Sequence, residues 1–300
     1  MALSEVTPLM AFKMAIADMT LHWGYWVRYP YASARQDTYV LPQPSTLVGM
    51  LVSGLSRALN GLCGLRTPEV VRTDDGYLVP MVKVFLPSIR QVYFRVVEGW
   101  GFRVMDITRH FQGPYIESEN LEDVSQWFAV RVTGKVYAPS MKVEAAYLVD
   151  IDEFGKALNA LECNVDPHIA LVAGLLSVTR LGPVEGLVTV NSVKVADVEE
   201  SSKLMTEPCP YFEVPEEYAS KLSEFNEVTI ARFWDWRSME FWTDRREPTK
   251  TITYVIPLRR SYIDGGLILP FTRCILLKNI ITKTYLVRVD GHEYTYPKAQ

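Results

Sequence analysis

The stretch from Leu41 to Gly61 reads LPQPSTLVGMLVSGLSRALNG, and it limits the folds open to this chain more than any other. Two prolines stiffen the approach. Ser45 then stands as an expected N-cap, and Leu47, Met50, Leu51, Leu55, Ala58 and Leu59 recur at helical spacing. No acidic residue interrupts the run, and Gly61 is expected to end it. Gly49 and Gly54 each cost about 1 kcal/mol inside a helix, so they are expected to mark close packing against a sheet.

A second stretch, Arg180 to Val190, reads RLGPVEGLVTV. Gly182 and Gly186 let the backbone approach a ligand closely, and Arg180 offers a forked donor for phosphate. The opening of the first helix offers free N–H groups, the positive end of its dipole, and the Ser45 and Thr46 hydroxyls. The loop before it carries Arg28, Arg35 and Gln36 interleaved with Tyr29, Tyr31 and Tyr39. Cations beside aromatic rings suit a single-stranded nucleic acid, with phosphates on the cations and bases on the rings. An ordinary capped helix and a tight helix-to-strand turn would use the same residues, and spacing does not separate the two readings.

Ala11 to Trp26 reads as a strand buried on both faces. Short strand-like runs follow at 78–86, 91–97 and 102–108. The stretches 127–136 and 143–149 alternate as a strand pair. Residues 152–161 form a short helix, and Asp166-Pro167 is a second helix start. A strand at 187–195 completes the order, which fits a split β-α-β plan: an α+β, ferredoxin-like (RRM-like) core with an inserted β-hairpin near 86–128. The acidic, proline-containing segment 197–210 suggests a division into a core of 1–198 and a smaller β-rich domain of 199–300. There Asp290-Gly291 is a hairpin turn signal, and Phe233, Trp234, Trp236, Phe241 and Trp242 form an aromatic cluster expected to build a small core.

Net charge is −4 but unevenly spread. Residues 21–110 hold ten basic and six acidic groups, residues 111–226 eight and nineteen, and residues 227–300 twelve and eight. A local basic groove is therefore compatible with the negative total. Cys63, Cys163, Cys209 and Cys274 are far apart without metal-ligand spacing, and are expected as buried reduced thiols in a cytoplasmic protein. His22, His110, His168 and His292 form no metal motif. No nucleophile elbow or P-loop is present, so neither cofactor nor membrane attachment is expected.

PQPSTLVGMLVSGLSRAL, after its tyrosine- and arginine-bearing loop, resembles the first helix of the repeat-associated RNA-binding (RAMP) superfamily of CRISPR systems. RLGPVEGLVTVNSV is similar to the glycine loop and strand near the end of that core. Together they most resemble the Cas-five family, in its archaeal type I-A branch, over about residues 10–197. The resemblance implies a non-catalytic subunit of a Cascade-type surveillance complex. Such a subunit grips the 5′ handle of the CRISPR RNA and contacts the Cas-seven backbone subunit and the large subunit. It places RNA binding at Arg28, Tyr29, Arg35, Gln36, Tyr39, Ser45, Thr46, Arg180, Gly182 and Pro183, and gives the hairpin thumb Arg90, Arg95, Arg103 and Arg109. Pro183, Val184 and Glu185 depart from the more basic loops of the family. One family branch cleaves RNA with a tyrosine, lysine and histidine set that has no match here. The alternative is a metal-independent endoribonuclease using His22 or His110. A protein-interaction subunit without RNA contact is a third reading.

Overall fold

Strand β1 (Thr7–Leu21) is the axis of the molecule. Met14, Ala15, Ile16 and Ala17 are each fully buried, so consecutive side chains on both faces of the strand are covered. This computed structural model describes residues 7–27, 35–65, 70–72, 78–111, 127–203, 205, 207–222, 226–238, 250–271 and 283–298.

The remaining strands in chain order are β2 (Gly24–Tyr25), β3 (Arg35–Gln36), β4 (Val70–Arg72), β5 (Leu78–Pro80), β6 (Ile89–Glu98), β7 (Gly101–Phe111), β8 (Phe128–Tyr137), β9 (Lys142–Asp150), β10 (Val188–Ser201), β11 (Phe212–Val214), β12 (Thr229–Trp234), β13 (Thr251–Ile256), β14 (Leu267–Ile268), β15 (Thr284–Val289) and β16 (His292–Pro297). The helices used below are α1 (Pro44–Cys63), α2 (Val82–Phe85), α3 (Ile151–Ala160), α4 (Pro167–Leu176), α5 (Glu216–Leu222) and α6 (Arg260–Asp264). The fold is mixed α/β. A six-stranded antiparallel sheet runs β16-β15-β10-β1-β9-β6.

Alternation along β1 assigns its two faces. Ala15, Ala17 and Met19 belong to one apolar cluster with Leu47, Leu51 and Leu55 of α1 and Leu171 and Leu175 of α4. Met14 and Ile16 belong to another, with Phe212, Val214 and Val255 of the three-stranded sheet β11-β13-β12. Helices therefore cover one face of the main sheet, and strands from the C-terminal third cover the other.

Helix α1 is long and apolar enough to cross a membrane, but 56% of the relevant window is buried within the molecule, so it serves as the core helix. Its start differs from the expectation. Gln43 is the N-cap and Pro44 opens the helix, while Ser45 lies inside the first turn. Proline at the first helical position sets φ in advance and wastes no N–H, which moves the boundary ahead of the serine. The helix also passes through Gly61 and ends at Gly64, whose φ of 68° is left-handed and whose N–H donates to the Asn60 carbonyl at 3.0 Å.

Gly54 packs against a helix rather than the sheet. A Cβ there would lie 2.2 Å from the Gly174 carbonyl oxygen of α4, whereas a Cβ on Gly49 would meet nothing within 4 Å. Asp166 caps α4 as expected, accepting from the His168 and Ile169 amides at 2.9 and 3.1 Å. Asp150 caps α3, accepting from Glu153 N–H.

Long-range pairing corrects other expectations. Residues 78–86 are not one strand: β5 is followed by α2. The stretches near 127–136 and 143–149 do not pair with each other. Strand β8 pairs with β7 as a long hairpin, while β9 lies between β1 and β6. Strand β6, inside the range expected for the thumb, belongs to the main sheet, so the hairpin is β7–β8. The expected division at 198/199 falls inside β10, and β15–β16 extend the same sheet beyond it. Their turn is as read from sequence, with φ of 51° at Asp290 and 77° at Gly291. Phe233 and Trp236 of the aromatic cluster are buried in the main core, while Phe241 and Trp242 lie outside the described residues.

Cys63 and Cys163 are joined as a disulfide across 100 residues, with Cα atoms 5.4 Å apart, and Cys209 is also disulfide-bonded. The reduced-thiol expectation is thus corrected. Spacing along the chain does not reveal that the end of α1 reaches the α3–α4 connection.

Candidate nucleic-acid interface

The segment entering α1 is held by phenols. Tyr25 donates its hydroxyl to the Val40 carbonyl at 2.6 Å, Tyr211 to the Pro42 carbonyl at 3.0 Å, and Tyr147 to the Leu47 carbonyl at 2.9 Å. All three side chains are fully buried. Burial pushes their hydroxyls far above the usual phenol range, so they remain protonated donors. The Val40 and Pro42 carbonyls, which belong to an irregular segment before the helix, thereby find partners away from water. The first turn of α1 carries no acidic residue, so the positive end of its dipole is not neutralised locally.

The glycine loop lies against this entry. A Cβ on Gly182 would be 3.1 Å from the Trp26 carbonyl oxygen and 3.8 Å from Thr46 Cγ2. Gly182 also has φ of 77°, so both backbone and space demand glycine. The two stretches, separated by more than a hundred residues in sequence, meet at one corner.

Within the loop several amides are already used. Leu181 N–H donates to the Gly186 carbonyl at 2.7 Å, Gly186 N–H to Pro183 at 3.0 Å, and Leu187 N–H to Glu185 at 2.8 Å. A Cβ on Gly186 would sit 2.1 Å from the Leu181 carbonyl oxygen. Gly186 is therefore a packing requirement, and Pro183 has no amide to offer. Arg180 is half-buried and bridges Leu187. His22 is exposed at the same loop. Its N–H donates to the Leu187 carbonyl at 3.1 Å, and its ring Nε2 lies 2.9 Å from Thr189 Oγ1.

Arg35 and Gln36 form β3, parallel to β8 at Val132 and Thr133. Tyr39 is half-buried, and its ring meets Phe233 edge-on at 5.5 Å. Arg28 and Tyr29 lie outside the described residues, as does the side chain of Arg109.

The expected thumb arginines separate. Arg90 is on β6 and pairs with Asp150 at 2.7 Å. Arg95, also on β6, is buried against Glu144 and donates to the Pro208 carbonyl at 2.9 Å. Neither belongs to the hairpin, because β6 is a strand of the main sheet. Arg103 is on β7 at the hairpin base, 3.5 Å from Asp37, and with Tyr39 lines a cavity of about 440 Å³.

The strand-covered face of the main sheet is a poor place for RNA. Ser192, Asp18, Glu144 and Arg95 occupy facing positions across β10, β1, β9 and β6. Where an RRM sheet presents aromatics for base stacking, this one holds Glu144 buried against Arg95 and Asp18 bonded to Ser192 and Lys194. Among the described residues, no group of three or more histidine, cysteine, aspartate or glutamate side chains is placed to hold a metal ion.

No family model matches the chain. A curated relative, CRISPR-associated protein Cas5 2 of Saccharolobus solfataricus, is 29% identical over 213 residues, covering 70% of each chain. CRISPR system aCascade subunit Cas5 1 of the same organism is 25% identical over 61% of this chain and 65% of that one. A third, CRISPR-associated protein Cas5 3, is 25% identical over 62% of this chain and 67% of that one. These relatives support a Cas5 assignment for the chain. Among solved structures, the chain resembles a CRISPR protein from Archaeoglobus fulgidus with a TM-score of 0.48 at 12% identity, covering 95% of this chain and 100% of that one. A chain of a CRISPR RNA-guided surveillance complex gives 0.41 at 12% identity, covering 84% and 97%.

Proposed function

We propose that this chain is a Cas5 protein, a non-catalytic subunit of an archaeal type I-A CRISPR surveillance complex. In this role it binds the 5′ handle of the CRISPR RNA, caps the backbone filament in the cytoplasm, and contacts the Cas-seven backbone subunit and the large subunit. Likeness to Cas5 proteins supports a place in such a complex, since one relative is itself described as an aCascade subunit. The order β10-β1-β9-β6, with α1 after the first strand and α4 before the last, supports a ferredoxin-like core. The observation that carries the RNA reading is the approach of Gly182 to Thr46 and the Trp26 carbonyl at the opening of α1. A bare backbone loop beside a helix N-terminus lets a phosphate come close to oriented amides.

Binding of labelled repeat-derived RNA to the full chain, measured as a function of salt, tests this. Affinity falls with salt, with a log–log slope near −0.7 per phosphate contacted. Gly182→Val fills the approach and weakens binding about tenfold, near 1.4 kcal/mol. RNA binding that is absent or insensitive to salt overturns the proposal. A second reading, metal-independent RNA cleavage, draws on His22 at the glycine loop. Repeat RNA left intact by the protein in chelator removes it, and cleavage abolished by His22→Ala establishes it.

A further inference from the structure

Helix α4 carries no aspartate, glutamate, lysine or arginine between Pro167 and Leu176. Ala170, Leu171, Gly174 and Leu175 are buried, on the side where Gly174 meets Gly54 and Leu55 of α1. The opposite side is made of Ile169, Val172, Ala173 and Leu176, at i, i+3, i+4 and i+7, which is one face of a helix. Ile169 is 58% exposed and Leu176 55%, with Val172 and Ala173 half-buried between them. A helix that is apolar all round is ordinarily covered all round. Isolated apolar side chains are common on a surface, but an aligned stripe of four is the pattern of a docking face.

The two ends of the stripe carry opposite charge. Glu162 and Asp166 are exposed at its N-terminal end. Asp166 accepts from the first amides of α4, but neither carboxylate has a cationic partner among the described residues. At the C-terminal end the exposed Arg57 of α1 reaches over to donate Nη1 to the Ser177 carbonyl at 3.0 Å. It has no carboxylate partner among the described residues, and the rest of its five donors are left for one. A stripe with acid at one end and base at the other complements its own copy turned end for end. About a two-fold axis through Val172 and Ala173, Ile169 of each copy lies beside Leu176 of the other, and Glu162 and Asp166 of each face Arg57 of the other. The helix dipoles then also run in opposition. A parallel pair would set acid against acid.

We infer that the outer face of α4 is a self-association surface, on which a second copy of this chain docks antiparallel. A ten-residue helix is about 15 Å long. Its face is smaller than the roughly 800 Å² per partner of a standard stable interface, so the dimer is weak and depends on concentration. Its charged ends are exposed, so salt weakens it further. The inference is independent of RNA binding, since none of these residues is needed at the corner between Thr46 and Gly182.

Sedimentation velocity of the full chain without RNA, from about 1 µM to about 500 µM, reads the association. The expected result is a reversible monomer–dimer equilibrium. Ile169→Ser with Leu176→Ser alters two exposed side chains, so the fold is kept, which thermal unfolding verifies, and the dimer weakens about tenfold or more. Arg57→Glu sets acid against acid and weakens the dimer about tenfold at low salt, and adding Glu162→Lys to the same chain recovers part of the loss. A monomer at every concentration overturns the inference. So does a dimer that keeps its affinity in the Ile169→Ser, Leu176→Ser variant, or one that Arg57→Glu leaves unchanged. If the chain stays monomeric and the Ile169→Ser, Leu176→Ser variant instead loses binding to another protein, the face belongs to that protein and the inference falls.

Discussion

The hydroxyl of Tyr211 donates to the carbonyl of Pro42 at 3.0 Å, joining the C-terminal third to the segment that opens α1, 169 residues away in sequence. Tyr211 is held in turn by its own N–H, which donates to the Phe94 carbonyl at 2.8 Å. Replacing Tyr211 with Phe keeps the ring but leaves a buried carbonyl without this donor, at a cost of about 1–3 kcal/mol. Denaturant unfolding is expected to show that loss, and RNA affinity is expected to fall with it because the entry to α1 loosens.

The same phenols give a pH dependence. Burial raises Tyr25, Tyr147 and Tyr211 above their ordinary value of 10.0, and neighbouring phenols raise Tyr211 further. The unfolded chain gives up these protons near pH 10 while the folded chain keeps them. Their contribution is therefore fully present below about pH 10 and is lost as pH rises through the folded values. Unfolding free energy measured from neutral to strongly alkaline pH is expected to fall steeply above pH 10, with tyrosinate absorbance appearing together with unfolding. Phenols that titrate freely in the folded protein would contradict the buried placement.

Arg95 and Glu144 are a buried ion pair on adjacent strands, with side chains 6% and 3% exposed. Tyr296 donates to the other Glu144 oxygen at 2.7 Å. Burial is the largest influence and opposes the charge on Arg95, but Glu144, Tyr296 and Asp18 together outweigh it, so Arg95 is held above its ordinary value. Arg95→Met strands the carboxylate and is expected to cost about 3–5 kcal/mol, while Arg95→Met with Glu144→Leu costs less than the single change. A double variant whose cost in urea unfolding equals the sum of the two single-variant costs would show that the pair is not coupled.

Gly54 and Gly49 share a helix and separate two kinds of glycine. Gly54→Ala drives a methyl into the Gly174 carbonyl and is expected to destabilise by about 1–3 kcal/mol through overpacking. Gly49→Ala meets nothing and is expected to stabilise by about 0.5–1 kcal/mol. Thermal unfolding of the two variants reads the difference in sign.

The Cys63–Cys163 disulfide closes a loop of 100 residues. Its removal by Cys63→Ala with Cys163→Ala is expected to cost about 2–5 kcal/mol. An unfolding midpoint unchanged by the double variant, or by reductant, would show that the two thiols are not joined.

The sequence alone determined what neighbouring residues decide between themselves. The apolar stripe of α1, the Asp166-Pro167 start of α4 and the Asp290-Gly291 turn all rest on interactions within a few residues, and all are present. Each of the two motif stretches carried its own glycine, helix-start or cation signal, but only the fold brings Gly182 against Thr46. Tertiary structure decided the rest. An alternating run such as 127–136 records that one face is buried but not which strand buries it, so its partner β7 emerged only from the fold. An arginine reads the same in sequence whether it is exposed or buried. Arg95 is sealed against Glu144 and Arg103 opens onto a cavity because β6 lies inside a sheet and β7 at the base of a hairpin. Tyr211 carried no local signal, since its role depends on Pro42 and Phe94, more than a hundred residues away, which only chain folding brings within reach.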